Sequence, residues 1–182
     1  RTPNLVLDPA NKTEFVKKWG FLGGAVNASY NITKNFGALV DLLYTEYTGN
    51  LGDFSGAATP RLKRSRSPMA GLGVFYNNQY LQLVSKATYL TKDNYQVRYN
   101  IVNPENTSQT ETATVYYGIQ TIGWTTDVML KPFKGFNLHY LITLQDPVYK
   151  DFDFTAFGNN YSYNDKNVLQ VSKVLMEIDP SY

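Results

Sequence analysis

Apolar and polar residues alternate through much of this chain. Across residues 136–145, Phe136, Leu138, Tyr140, Ile142 and Leu144 fall on one side of an extended backbone. Asn137, His139, Leu141, Thr143 and Gln145 fall on the other. A period of two defines a strand with one apolar and one mostly polar face. The apolar side is unbroken from Phe136 to Leu144, about the 9–11 residues that a tilted strand needs to cross a bilayer. The short turn 131–135 precedes this strand, and a long polar and aromatic loop at 146–167 follows it. Six further segments repeat the pattern. They are 19–31, 36–48, 69–77, a strand from residue 80 that carries its alternation past Lys92 to Ile101, 112–130 and 168–178. Residues 1–18 read as loop, with room for a helical turn at 14–18.

The connections sort by length. Short ones at 32–35, 77–79 and 131–135 alternate with long ones at 49–68, about 92–111 and 146–167. Outer-membrane barrels sort their connections in this way, with short periplasmic turns and longer extracellular loops. The pattern therefore predicts an all-β chain built as an antiparallel, up-and-down transmembrane β-barrel segment, about seven strands of a larger barrel. Each strand should pair with its sequence neighbour. Asp41, Lys86, Asp127, Lys173 and Glu177 should share the lumenal side, and Leu42, Leu83, Val128, Ile142 and Val174 the lipid side. In the fifth strand Gln120 interrupts the apolar series, which predicts a bulge there or a strand that projects beyond the membrane. Bacterial single-chain barrels have an even number of strands. An odd count, with a first residue that is not Met, leads us to expect residues 1–182 to be one partial barrel domain excised from a larger one.

Composition supports the strand reading. Of 182 residues, 43% are hydrophobic and only 18% charged, and tyrosine occurs 15 times. Tyr, Thr, Val and Phe favour pleated surfaces. No stretch is long and apolar enough for a transmembrane helix, but a barrel hides its apolar residues at alternate positions. A net charge of +2 gives no electrostatic footprint for nucleic acid. The absence of cysteine excludes disulfides, thiol catalysis and thiolate-bound metals.

The phrases 135–138 and 143–152, Gly-Phe-Asn-Leu and Thr-Leu-Gln-Asp-Pro-Val-Tyr-Lys-Asp-Phe, resemble the late barrel region of bacterial TonB-dependent outer-membrane receptors. So do residues 174–182, Val-Leu-Met-Glu-Ile-Asp-Pro-Ser-Tyr. Asp53-Phe54-Ser55-Gly56-Ala57 with Pro60 and Lys63 is similar to an outer loop of the same group. The resemblance implies a barrel of about 22 strands with a plugged lumen. It also implies residence in the bacterial outer membrane among its lipids. The implied activity is import of a scarce nutrient, such as an iron chelate, cobalamin or a glycan. The plug domain and the short box that contacts the energising inner-membrane partner are not in this sequence, so that partner would engage only through a missing N-terminal region. Two rivals stand beside this reading: a complete small β-barrel, soluble or in the outer membrane, that binds a small ligand, and a surface adhesin or structural barrel.

Catalytic signatures are absent from the sequence, and we expect neither an enzyme nor a cofactor. His139 is the only histidine and reads as a hydrogen-bonded wall residue, not a metal ligand. Asp151 and Asp153 read as solvated loop carboxylates. The candidate ligand contacts are all in long loops. Arg61, Lys63, Arg64 and Arg66 form a basic cluster suited to lipopolysaccharide phosphates or an acidic ligand. Phe152, Phe154 and Phe157 belong to a ring-rich loop able to face a sugar or an aromatic chelate.

Overall fold

The computed structural model describes residues 4–5, 15–16, 22–48 and 64–182. Among them every regular element is a strand. A first pair, β1 (Asn4–Leu5) and β2 (Phe15–Val16), stands apart as a two-stranded ribbon. It departs from the loop expected at 4–5 and the helical turn expected across 15–16, and the rest of 1–18 lies outside the described residues.

The main sheet has seven strands in the spatial order β11-β8-β7-β6-β5-β4-β3, every neighbour antiparallel. They are β3 (Gly23–Asn31), β4 (Phe36–Thr48), β5 (Arg64–Asn77), β6 (Leu81–Val102), β7 (Thr110–Leu130), β8 (Asn137–Lys150) and β11 (Val174–Ser181). Sequential antiparallel pairing was the expectation from the connections, and it holds. Among the described residues β3 and β11 each lack a second partner, and the sheet does not close.

The short turns all lie at one end and carry their own local chemistry. Thr33 Oγ1 accepts from the amide of Phe36 at 3.1 Å, and Asn78 Oδ1 accepts from the amides of Tyr80 and Leu81, both at 2.8 Å. These side chains satisfy backbone donors that the ladder leaves free. Gly135 closes the third turn at φ +89°, a conformation that glycine adopts without a Cβ penalty.

Several boundaries differ from the sequence reading. The third strand begins at Arg64 instead of residue 69, so Arg64 and Arg66 belong to a strand and not to the loop. The expected loop at 92–111 is mostly strand, with only 103–109 left as connection. Residues 146–150 extend β8. The rest of that loop contains a small hairpin, β9 (Asp153–Ala156) and β10 (Asn159–Ser162). The last strand runs Val174–Ser181 instead of 168–178.

The ladder register fixes which residues share a face, because directly paired residues point the same way. One row reads Val26, Leu42, Ala70, Tyr89 and Ile122 across five strands. Another reads Val40, Leu72, Ala87, Trp124, Leu144 and Val174. This face is apolar and open: Leu72, Ile122 and Met176 are 64%, 60% and 60% exposed. Asp41, Lys86, Asp127, His139 and Glu177 all fall on the opposite face. Lys173 departs from the expected set. It lies just ahead of β11, and its Nζ is 2.6 Å from Asp146 Oδ1, a residue of the apolar-face series.

The packed core lies beyond the sheet. β6 and β7 run past their neighbours as a projecting hairpin, where Val115 and Tyr117 are buried. Tyr149 and Phe152 pack against them, with Tyr95, Val97, Tyr99 and Phe154 around the edge. One bulge makes this possible. The pairing moves from Lys92↔Ile119 to Tyr95↔Tyr117, so β6 carries one extra residue. Asn94 takes a left-handed φ of 52° there. Its Nδ2 donates to Arg64 O at 3.0 Å, and Ser65 Oγ donates to Asp93 O at 2.6 Å. An extra residue inverts the side-chain alternation. The odd series Leu83, Ala87 and Tyr89 therefore occupies the apolar face, while Tyr95, Val97 and Tyr99 turn to the other. β7 contains no bulge of its own. Its apolar set passes from Ile122 and Trp124 to Ile119, Tyr117 and Val115 because the strand projects and buries the opposite face.

Candidate functional site

Two places in the described structure concentrate chemistry. The first is the cap formed by the projecting hairpin, β9–β10 and residues 163–169. Its rings interlock: Tyr117 and Phe152 stack at 4.6 Å, Tyr149 meets Phe152 edge-on at 4.9 Å, and Phe154 stacks on Tyr161 at 5.3 Å. Each such pair adds about 0.5–1.5 kcal/mol beyond its buried area. Asn164 ties the hairpin back, its Oδ1 accepting from Phe152 N at 2.8 Å and its Nδ2 donating to Asp153 Oδ2 at 2.9 Å. Hydrogen bonds from Ser162 and Asn164 hold the Asp153 carboxyl below its ordinary range. Burial, with Tyr99 beside it, pushes the Tyr117 hydroxyl well above the usual tyrosine value.

A cleft of about 610 Å³ opens beside these rings, lined among others by Tyr99, Phe154, Tyr163, Asn100, Lys166 and Asn167. Its walls are aromatic faces and its rim carries amides and an ammonium group. Such a cleft can stack a flat or saccharide ring and orient its polar substituents.

The three phenylalanines read as ligand contacts occupy different settings. Phe152 is 5% exposed and is a core residue. Phe154 is half-buried and lines the cleft. Phe157 forms the β9–β10 turn with Gly158, at φ 49° and 76°, and its amide donates to Glu111 Oε2 at 3.1 Å. Sequence reasoning missed Tyr99, Asn100, Lys166 and Asn167 as cleft residues. The signal was present in the polar interruption Thr91-Lys92-Asp93-Asn94, which marks the switch of face in β6.

The second place is the basic cluster. Arg61 and Lys63 lie outside the described residues. Arg64 and Arg66 lie on the apolar side of β5, in register with Thr48 and Glu46 and just beyond the Tyr44–Pro68 pair. Glu46 accepts from Tyr44 Oη at 2.7 Å, from Arg64 Nη1 at 3.0 Å and from Leu22 N at 3.2 Å. The structure thus separates the two sets of candidates, placing the rings over the polar side and the described arginines over the apolar side.

On the polar face of the sheet itself, Asp41 and Lys86 pair at 2.8 Å and Asp127 and His139 at 2.9 Å. Lys92 Nζ sits 3.9 Å from the Tyr95 ring centre and 5.1 Å from that of Tyr47. Among the described residues no group of three or more His, Asp or Glu side chains is placed to hold a metal ion. Comparison with family models, with curated proteins and with solved structures returns no match.

Proposed function

We propose that this chain is a segment of a transmembrane β-barrel from a bacterial outer-membrane uptake receptor of the TonB-dependent kind. The observation that carries the reading is the segregation of the sheet's faces. From Phe36 to Tyr44, and from Pro68 to Tyr76, the apolar face holds no charge. Each span is about 26 Å of strand at ~3.3 Å per residue, or about 20 Å of depth at a ~40° tilt. Tyr30, Phe36, Tyr76 and Tyr140 bound the band at the short-turn end, and Tyr44 and Tyr89 at the other. Two aromatic girdles around an aliphatic band are the pattern of an outer-membrane barrel exterior. A water-soluble sheet turns such a face into a core, and the described core lies elsewhere.

In this reading the polar face is the lumenal wall. The aromatic cap stands outside the membrane, and its cleft faces the arriving nutrient, an iron chelate, cobalamin or a glycan. The unpaired edges of β3 and β11 meet flanking strands of the parent barrel, since an open edge in hydrocarbon leaves backbone groups unsatisfied. With seven alternating strands, β3 and β11 run in the same direction. They therefore cannot close antiparallel on each other, or on a second copy inserted in the same orientation.

Single-cysteine scanning tests the reading cleanly, because the chain contains no cysteine. In outer membranes, cysteines at Ala38, Val40 and Leu42 should resist a water-soluble maleimide, and cysteines at Leu39 and Asp41 should react with it. Uniform reactivity on both faces would overturn the proposal in favour of a soluble sheet.

A further inference from the structure

The arginines and the apolar band meet at one spot. On the apolar face, over β3, β4 and β5, lies a groove of about 530 Å³, lined among others by Val26, Leu42, Tyr44, Pro68, Ala70 and Tyr89. Small residues open it: a Cβ on Gly24, another wall residue, would meet nothing within 4 Å. At its upper end, one two-residue step past Pro68 and about 6.6 Å along the strand, stands Arg66. Arg66 is exposed, and no carboxylate lies within ion-pair distance of it among the described residues. Its register partners are both acidic, Glu46 on β4 and Asp93 on β6, but neither makes an ion pair with it, and Glu46 already receives donors from Tyr44, Leu22 and Arg64.

From this geometry we infer that the groove and Arg66 form a binding site for a phosphorylated lipid of the surrounding leaflet, with an acyl chain in the groove and a headgroup phosphate on the guanidinium. The inference rests on the membrane reading above. The order of the parts follows the order of a lipid: aliphatic groove, aromatic girdle, then a cation at headgroup depth. A guanidinium fork matches phosphate geometry and keeps its charge at any physiological pH. A soluble phosphate ligand would use the arginine but not the groove.

The test uses the full-length receptor reconstituted in nanodiscs that contain bisphosphorylated lipid A, with retained lipid counted by native mass spectrometry. Entry into nanodiscs is scored first, so failure to insert counts against the membrane reading and not against this site. Arg66→Gln should lower retention about five-fold, the effect of about 1 kcal/mol for one basic residue at an anionic lipid surface. Gly24→Leu, which fills the groove and leaves the charge, should lower it as well. Arg66→Gln should leave retention of dephosphorylated lipid A unchanged, whereas Gly24→Leu should lower it too, because the acyl chains are still present. Equal retention by wild type and Arg66→Gln would overturn the proposal. So would saturable binding of pyrophosphate in detergent without lipid, which would assign the site to a soluble anion.

Discussion

Lys86 and Asp41 form an ion pair between two strands that are not neighbours. Lys86 belongs to β6 and Asp41 to β4, and the 2.8 Å contact crosses the polar face of β5. Gly73 pairs with Lys86 and Gly71 with Asp41, so the middle strand presents no side chain beneath the bridge. A Cβ on Gly73 would meet Ser85 O at 2.5 Å and the Lys86 backbone at 2.9 Å. A Cβ on Gly71 would first meet the flexible Lys86 Cδ at 3.3 Å. Gly73→Ala should therefore destabilise the sheet by about 1–3 kcal/mol, the usual cost of overpacking, and Gly71→Ala by clearly less. Urea unfolding of the two variants side by side measures the difference. Equal losses would mean that β5 can shift to relieve the contact.

The apolar face gives a prediction whose size depends on the solvent. Leu72 sits near the middle of the band and is 64% exposed. In a bilayer, Leu72→Arg should cost about 2–4 kcal/mol. In water, an exposed leucine replaced by arginine should change stability by less than about 0.5 kcal/mol. Folding into phosphatidylcholine vesicles, followed by denaturant titration, separates the two outcomes.

Much of the architecture was legible because strand alternation is local. Asp41, Lys86, Asp127 and Glu177 could be placed on one face by parity alone, since the period of two is unbroken in the stretch of strand around each. The cap was not legible for the same reason. Parity carried past Lys92 puts Tyr95, Val97 and Tyr99 on the face of Leu83, whereas one extra residue at the bulge puts them opposite. Phe152 and Tyr149 looked like loop rings because the surface they cover, on β6 and β7, becomes available only after that inversion. Arg64 and Arg66 read as loop because Pro68 suggested a boundary. Yet β5 continues through it, with Tyr44 as its register partner.

The bulge is therefore open to direct test. Deleting Asn94 would set Asp93 against Gly118 and keep Tyr95 against Tyr117, so the ladder becomes regular while Tyr95, Val97 and Tyr99 stay on the polar face. The cap should therefore remain closed, as it should in Asn94→Gly, which keeps the left-handed backbone. Limited proteolysis within residues 151–169 checks both variants, with protection expected for each. Rapid cleavage of the deletion variant would show that the bulge's local twist, and not the face it gives to the rings, holds the cap.

Core and turn residues of the cap should respond in opposite directions. Phe152→Ala removes the ring at the centre of the cluster and should cost about 3–5 kcal/mol of cap stability. Phe157→Asn replaces a ring that holds a left-handed turn with a residue that tolerates it. It should stabilise the hairpin by about 0.4–1 kcal/mol. Hydrogen exchange of the β9–β10 amides reports both. A large loss on replacing Phe157 would show that its ring packs as a core residue.

Tyr117 fixes the alkaline limit of the cap. Burial is the first cause of its raised pKa, and its hydrogen bond to Tyr99 adds to the effect. The folded cap therefore holds the phenolic proton more tightly than the unfolded chain does. A group of this kind stabilises the folded form fully below its unfolded value, near 10. That contribution is lost as pH rises from there toward the folded value. The cap should be insensitive to pH across the neutral range and should open above about pH 10, with Tyr117 ionising as it opens. Tyr117→Phe keeps the ring contacts and removes the titrating group, so its cap should survive further into alkali than wild type. Tyrosinate absorbance and amide exchange recorded on the same samples check the coupling. If Tyr117 ionised near pH 10 while the cap amides stayed protected, the burial argument would fail.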